Sequence, residues 1–196
     1  LLSWSFMGID LPFHKSWFDD NEINEVIETL KSGWLTTGPK TKRFEDDFKD
    51  YIGCGYAIGL NSCTAGLHLA LATKRFKAGD EVITTTMTFP ATANVIMHER
   101  LCPVLVDVEP GTLTIDVNQI LEKITPKTRA IMPVHFAGHP CDMDPVMELA
   151  EKYKLLIIED AAHALETKYK GRKIGGLGNP TAFSFYANKN ITTGEG

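Results

Sequence analysis

The sequence has no long hydrophobic run and no excess of positive charge. None of its apolar stretches approaches the roughly 20 residues that a membrane-spanning helix needs, so we expect no membrane association. The formal net charge is −5 at pH 7, which argues against nucleic-acid binding through a broad basic surface. With 196 residues, 43% of them hydrophobic, the chain can bury a substantial core in one or two domains.

Cysteine is also scarce, and its spacing excludes two common kinds of site. No Cys-x-x-Cys pair is present, which is not typical of a structural zinc site or a disulfide framework. Free thiols in a reducing cytoplasm fit this pattern better. His135, His139 and Cys141 are candidate metal ligands, but they fall in a loop that contains Gly and Pro and do not share a helix face. We therefore expect no metal.

From residue 56 onwards, short apolar stretches alternate with stretches of helical length. The predicted strands are 56–60, 81–85, 103–106, 130–134, 155–158 and 182–186. The predicted helices are 20–31, 40–51, 65–76, 91–99, 117–124 and 144–153, with a small hairpin at 169–172. This alternation predicts an α/β fold in which helices cover both faces of a mainly parallel sheet, a three-layer α/β/α architecture.

The first two predicted helices are amphipathic. In the first, the residues on one apolar face are Ile23, Val26, Ile27 and Leu30, with Gly33 as the end signal. In the second, we expect burial of Phe44, Phe48 and Tyr51. Leu1 to Phe6 lacks the charged start and long apolar core of a signal peptide. We expect residues 1–8 to be an N-terminal tail and residues 9–196 to form the folded domain.

Ligands of open parallel sheets bind at the carboxyl ends of the strands, so the polar groups that follow the strands are the candidate site. Ser62, Cys63 and Thr64 follow the first predicted strand and open a helix, where free amides and the helix dipole favour an anion. The alternative is a plain Ser or Thr helix cap that binds no ligand. Phe89 follows the second strand, where its ring can stack on a flat heterocycle or pack in the core.

Two charged groups and a histidine follow the last two strands. Glu159 and Asp160 come directly after four apolar residues. Asp160 can pair with a protonated pyridine nitrogen, and His163 can bond to a neighbouring oxygen. A helix-capping Asp160 with a structural His163 is the alternative. Ser184 can donate to a phosphate. Lys189 lies beyond the last strand, where burial favours the free amine, a nucleophile for carbonyls. Taken in this order, these groups suit pyridoxal phosphate (PLP).

Six stretches of the chain resemble motifs of one enzyme family, the DegT/DnrJ/EryC1/StrS family of PLP-dependent sugar aminotransferases. They are 32–39 (SGWLTTGP), 61–65 (NSCTA), 79–83 (GDEVI), 133–138 (PVHFAG), 159–163 (EDAAH) and 183–190 (FSFYANKN). The resemblance covers nearly everything from residue 9 to residue 196. It implies the large domain of the PLP-dependent transferase fold type I.

The resemblance also implies a role for each candidate residue. Lys189 would bond to the PLP aldehyde and carry a proton, and Asp160 would pair with the pyridine nitrogen. Phe89 would stack on the ring and His163 would lie close to it. The phosphate would be held at Ser62, Cys63 and Thr64, mainly through backbone amides, with help from Ser184. Lys189 argues against the dehydratase relatives that carry histidine at this position.

The implied reaction is the transfer of an amino group from glutamate to a nucleotide-linked keto sugar. The stretches at 32–39 and 133–140 most resemble the branch that acts on UDP-linked 4-keto sugars, for cell-surface polysaccharide or lipopolysaccharide biosynthesis in the cytoplasm. Family members are expected to be homodimers and to continue beyond residue 196 with a further strand and a small C-terminal domain. We therefore expect this chain alone to be inactive or nearly so. The alternative is a PLP-binding regulatory module that does not turn over.

Overall fold

A computed structural model describes residues 3–6, 9–12 and 14–195 of the chain. The first two strands are β1 (Ser3–Phe6) and β2 (Ile9–Pro12), which pair in an antiparallel ladder. The boundary expected at residue 8 lies between these two strands, so the expected tail contributes one strand of the hairpin. No helix among the described residues is long and apolar enough to cross a membrane.

The main sheet is parallel, as predicted. Its strands are β3 (Glu81–Thr85), β4 (Cys102–Val106), β5 (Thr128–Met132), β6 (Leu156–Ile157), β7 (Glu159–Ala161) and β10 (Thr181–Phe183). Their order is β4-β3-β5-β6, and β7 continues from β6 and pairs with β10. The Asp160 N–H donates to Pro133 O at 2.9 Å and the His135 N–H donates to Asp160 O at 3.0 Å. These bonds keep β7 beside the chain that leaves β5.

Helices cover both faces of this sheet, which confirms the three-layer α/β architecture. The covering helices are α3 (Cys63–Ala72), α4 (Pro90–His98), α5 (Val117–Lys123) and α6 (Met143–Tyr153), and α1 (Asp20–Ser32) and α2 (Pro39–Ile52) precede them in the chain. On one face, Leu67 of α3 and Ile96 of α4 pack with Val82 of the sheet. On the other face, Ile120 of α5 and Val146 of α6 pack around Ile83 and neighbouring strand residues. Burial of this apolar surface is the main stabilising term of the fold.

Local signals explain where the elements begin and end. Asp19 caps α1, because its side chain accepts from the Asn21 N–H while the Glu22 carboxylate accepts from the Asp19 N–H. Gly33 ends the helix at φ 73°, a conformation that glycine adopts without strain. The hairpin predicted at 169–172 is confirmed as β8 (Lys168–Tyr169) and β9 (Arg172–Lys173).

Two predictions about the first sixty residues are wrong. Residues 56–60 form no strand among the described residues, because no neighbouring backbone forms a ladder with them, and Tyr56 is 91% exposed. Phe44 and Tyr51 were expected in the core, but they are 37% and 46% exposed, and Ile52 is the buried residue at the end of α2. The apolar face of α1 is likewise exposed.

The last strand is shorter than predicted. β10 ends at Phe183 because its partner β7 ends at Ala161, and Tyr186 makes only an isolated bridge to Gly194. The helix α3 approaches this strand closely: a Cβ added at Gly66 would lie 3.1 Å from the Cβ of Ala182. Glycine at this position therefore sets the distance between the start of α3 and β10.

Candidate functional site

Asp160 lies at the centre of the candidate site, in β7. Its side chain is on the sheet face that α3 and α4 cover, and the residue is 4% exposed. The Thr92 hydroxyl donates to Asp160 Oδ2 at 2.7 Å, and the Ala162 N–H donates to Oδ1 at 3.1 Å. Each oxygen thus has one neutral donor, and the carboxylate keeps lone pairs for a further partner.

Lys189 lies in a turn beyond β10 and is half-buried. Its backbone N–H donates to Tyr186 O at 2.9 Å, which fixes the turn. The side chain lines a cavity of about 580 Å³ together with His163. The other residues that line this cavity are His14, Ala137, Gly138, Glu166, Thr167, Asn188 and Asn190. Most of them carry polar side chains, so the cavity suits a polar ligand.

The charges of Asp160 and Lys189 have opposite effects on the pKa of the Cys63 thiol. Burial raises the pKa of the Cys63 thiol well above its ordinary value, the Asp160 charge raises the pKa further, and the Lys189 charge opposes both. The thiol therefore stays protonated, and it donates to Ala182 O at 3.5 Å. The charges of Asp160 and Lys189 thus both act on this thiol, from opposite directions of pKa change.

His163 faces the same two charges. Its pKa is lowered, first because the surrounding protein partly desolvates the ring and then because Lys189 repels the added proton, while Asp160 raises the pKa. The Ala137 N–H donates to His163 Nδ1 at 3.3 Å. Since Nδ1 accepts this bond, the neutral ring carries its proton on Nε2, which is then a donor.

The start of α3 has the geometry of an anion-binding site, although the Ser62 hydroxyl already accepts a hydrogen bond from the helix. Ser62 is the cap residue, and its Oγ accepts from the Ala65 N–H at 3.1 Å. This is the helix cap that the sequence left open as an alternative, and the Ser62 hydroxyl proton stays available. Within the described residues, the backbone N–H groups of Cys63 and Thr64 meet no protein acceptor. These two groups are free to bind an anion.

The two remaining predicted residues lie around this centre. Phe89 caps α4 and is 74% exposed, so its ring is not part of the core. Ser184 follows β10, and its hydroxyl accepts from the Tyr186 N–H at a long 3.4 Å. The structure therefore brings Lys189 and His163 to one cavity, with Asp160 and Cys63 close enough to be affected by the same charges, and it places Phe89 and Ser184 on adjoining segments.

Sequence reasoning missed several residues of the site. Thr92 bonds directly to Asp160, and its hydroxyl lies 2.7 Å from that of Thr88. His14 lines the cavity because the segment before α1 lies on the Lys189 turn, where the Ser16 hydroxyl donates to Ala187 O at 3.2 Å. In the sequence, only the position of Thr92 in the first turn of α4 indicated a possible role in the site. A polar residue at such a position can equally well serve only to stabilise the start of the helix.

The histidine loop considered as a metal site has a different arrangement. His135 is buried and its Nε2 lies 2.9 Å from Glu159 Oε2, whereas His139 is exposed. The Cys141 thiol donates to Val134 O at 3.2 Å. Each buried polar group in this loop therefore already has a protein partner.

A second, larger cavity of about 810 Å³ lies along the free edge of β10. Its walls are mainly apolar, with Phe44, Phe48 and Phe183 among them, and Ser62 and Cys63 at the start of α3 line it as well. Titratable groups in a polar pocket are what catalysis requires, and Lys189 lines the smaller cavity, which is therefore the better candidate for the chemistry.

Residues 17–196 match the model of the DegT/DnrJ/EryC1/StrS aminotransferase family. The chain is 58% identical over 186 residues to MJ1066 of Methanocaldococcus jannaschii and 50% identical to the spore coat polysaccharide biosynthesis protein SpsC of Bacillus subtilis. Each match covers 95% of this chain and 48% of the relative, so the chain spans about half the length of the curated relatives it matches.

The fold also matches a solved structure. This is the PLP form of Spr1654 from Streptococcus pneumoniae, a protein assigned as a sugar aminotransferase. The TM-score is 0.91 at 40% sequence identity, and the match covers 94% of this chain and 51% of that one.

Proposed function

This chain belongs to the DegT/DnrJ/EryC1/StrS aminotransferase family, and we propose that it supplies the PLP site of a sugar aminotransferase. The observation that carries the proposal is the placement of a buried carboxylate, Asp160, in β7 and of the half-buried Lys189 just beyond β10, the parallel strand beside it. A buried carboxylate and an amine are the two protein groups that PLP chemistry requires.

The residues present fit this cofactor. Asp160 has two neutral donors and, among the described residues, no ion-pair partner. A buried anion in that state gains from a cation held against it, and a protonated ring nitrogen is such a cation. The free N–H groups of Cys63 and Thr64 at the start of α3 suit the phosphate.

Bound PLP supplies an aldehyde that bonds to amines and a ring that holds the electron pair left by a departing proton. Asp160 would hold the ring nitrogen protonated. The Lys189 amine would hold the aldehyde carbon and, when free, would carry a proton on its Nζ. His163 Nε2–H would donate to an oxygen on the ring, and the exposed Phe89 ring would cover one ring face. Ser62 and Ser184 would add hydroxyl donors for the phosphate.

The substrates follow from the family and from the polar cavity. We assign glutamate as amino donor, leaving as 2-oxoglutarate, and a nucleotide-linked keto sugar, such as a UDP-4-keto sugar, as acceptor. The cavity beside Lys189 offers side-chain donors and acceptors at Thr167, Asn188 and Asn190, which suit sugar hydroxyls. The similarity to SpsC supports a role in polysaccharide biosynthesis. We place the intact enzyme in the cytoplasm, as a homodimer.

The test adds glutamate to the intact protein loaded with PLP. We expect the visible absorbance band of the lysine-bound cofactor to disappear and about one equivalent of 2-oxoglutarate per site to appear, because one amino group is transferred per cofactor. The Asp160→Asn variant should lose this conversion. A band that glutamate never alters would indicate a PLP-binding regulatory module and would overturn the aminotransferase assignment.

A further inference from the structure

Two threonines at the start of α4 form a hydrogen-bond chain that ends on Asp160. Thr92 Oγ1 lies 2.7 Å from Asp160 Oδ2, and Thr88 Oγ1 lies 2.7 Å from Thr92 Oγ1. An ionised carboxylate only accepts hydrogen bonds, so the Thr92 hydroxyl donates to it. Thr92 Oγ1 is then left to accept from the Thr88 hydroxyl. The chain has one direction, from Thr88 through Thr92 to Asp160.

The hydrogen-bond chain from Thr88 to Asp160 lies in the protein interior, where each of its hydrogen bonds is hard to replace. Thr92 is fully buried, and Asp160 is nearly so. Water cannot take over when a donor is lost in such a place, and the unpaired group then bears its desolvation cost. The Ala162 N–H holds the other carboxylate oxygen through the backbone. The Thr92 hydroxyl is thus the one side-chain donor to Asp160 in the described part of the chain.

The chain also ties Asp160 to the turn that carries Phe89. Thr88 and Phe89 are consecutive, Phe89 caps α4, and the Thr92 N–H donates to Phe89 O at 3.1 Å. The carboxylate and the exposed ring are therefore held by the same first turn of α4. A change in the hydroxyl chain moves both groups relative to a ligand between them.

We propose that Thr92, supported by Thr88, is a positioning residue that orients the Asp160 carboxylate toward the ring nitrogen of the cofactor. The inference rests on the proposed function, because the ligand of Asp160 is the PLP ring. With one oxygen bonded to Thr92 and the other to Ala162, the carboxylate has a fixed plane. Its remaining lone pairs then have fixed directions, and a ring nitrogen meets them without reorganisation.

The hydrogen-bond chain has a competing explanation, in which its only role is a fastening one that stabilises the packing of α4 against β7. A fastening role predicts a loss of stability and no change in the chemistry of a bound cofactor. A positioning role predicts a change in the electronic state of the cofactor even in protein that remains folded. The pH dependence of the visible absorbance of bound PLP separates the two roles, because it reports the charge environment of the ring and its lysine.

The experiment compares Thr92→Val, Thr92→Ser and Thr88→Val in the intact protein loaded with PLP. Thr84→Val is the matched control: Thr84 is also fully buried, but its hydroxyl donates to Met132 O at 2.8 Å, away from Asp160. The measurements are the absorbance of bound PLP against pH, the dissociation constant of PLP, kcat and KM for glutamate, and the urea midpoint of unfolding.

We expect Thr92→Val to shift the pH midpoint of the absorbance and to weaken PLP binding. Its kcat should fall about 10- to 100-fold with KM nearly unchanged, as expected for the loss of one hydrogen bond to a charged group in the transition state. Thr92→Ser keeps the hydroxyl and should restore most of the loss. Thr88→Val should show the same shift to a smaller degree. Thr84→Val should lower the urea midpoint alone.

Three results would overturn the inference while leaving the proposed function in place. They are an unchanged pH midpoint and kcat in folded Thr92→Val, a Thr92→Ser variant as impaired as Thr92→Val, and a Thr84→Val control with the same absorbance shift. If Thr92→Val does not fold, unchanged absorbance and kcat in Thr88→Val reject the hydroxyl chain. Failure of the unsubstituted protein to bind PLP would reject both proposals together.

Discussion

His135 and Glu159 form a hydrogen bond in the protein interior, with 2.9 Å between Nε2 and Oε2. The Cys141 N–H donates to His135 Nδ1 at 3.1 Å, so the ring proton lies on Nε2 and points at the carboxylate. The second Glu159 oxygen accepts from Asn179 Nδ2 at 2.8 Å. Because Glu159 and Asp160 are consecutive in β7, their side chains lie on opposite faces of the sheet. The His135–Glu159 hydrogen bond thus stabilises β7 on the sheet face opposite the Asp160 side chain.

Replacing His135 should destabilise the protein strongly. His135→Ala leaves a buried carboxylate with one of its two side-chain donors removed, and it opens a cavity. We expect a loss of about 3 kcal/mol in the free energy of unfolding, measured by urea denaturation. The control is His139→Ala, from the same loop but exposed, which should change stability by less than about 0.5 kcal/mol. Equal effects of the two substitutions would contradict the account of this pair.

His163 should titrate below its ordinary value of 6.5, in the direction that its surroundings set. In the absence of cofactor, Lys189→Ala should raise the His163 pKa, because a repelling charge is removed. Asp160→Asn should lower the pKa further, because an attracting charge is removed. The measurement is the NMR titration of the histidine ring signals, with His163→Gln to assign them. Shifts of the opposite sign would contradict the placement of His163 between these charges.

The same histidine affects stability in a defined pH range. Since the pKa of His163 is lower in the folded state, the unfolded chain takes up this proton first as the pH falls. The contribution of His163 to stability is therefore lost as the pH falls below about 6.5. The effect should be small because the ring is exposed. It should be absent from the pH profile of His163→Gln.

The cysteines should differ sharply in reactivity. Burial raises the pKa of the Cys141 thiol to about 12 and that of the Cys63 thiol well above its ordinary value, so neither forms the reactive thiolate near neutral pH. Cys102 is exposed. Iodoacetamide at pH 8, followed by peptide mass spectrometry, should label Cys102 in the native protein and leave the other two unmodified. Labelling of Cys63 at the rate of Cys102 would show that the site is open to solvent.

Elements with strong local signals were predictable from the sequence. The bounds of α1 follow from the cap at Asp19 and the glycine at position 33, and β3 from a run of β-branched residues. Asp160 and Lys189 were predicted as site residues because a charged group after a buried strand has few structural uses. Each of these inferences needed only a few neighbouring residues.

Features that depend on distant parts of the chain were not predictable. The period of the apolar residues in α1 indicates one apolar face, and only the tertiary structure shows that this face is exposed. Residues 56–60 have strand composition, but a strand needs a partner backbone beside it. Thr92 was missed because its hydrogen-bond partner is 68 residues away in sequence. The sequence does not show which threonine in a helix start points into the sheet.

The central claim is that PLP bonds to the amine of Lys189, and peptide mapping tests it most directly. The intact protein is incubated with PLP, reduced with borohydride, digested and analysed by mass spectrometry. We predict one stable PLP adduct, on the peptide that contains Lys189, which persists in the exposed-lysine control Lys152→Ala and is absent from Lys189→Ala. An adduct on another lysine, or one that persists undiminished in Lys189→Ala, would contradict the account.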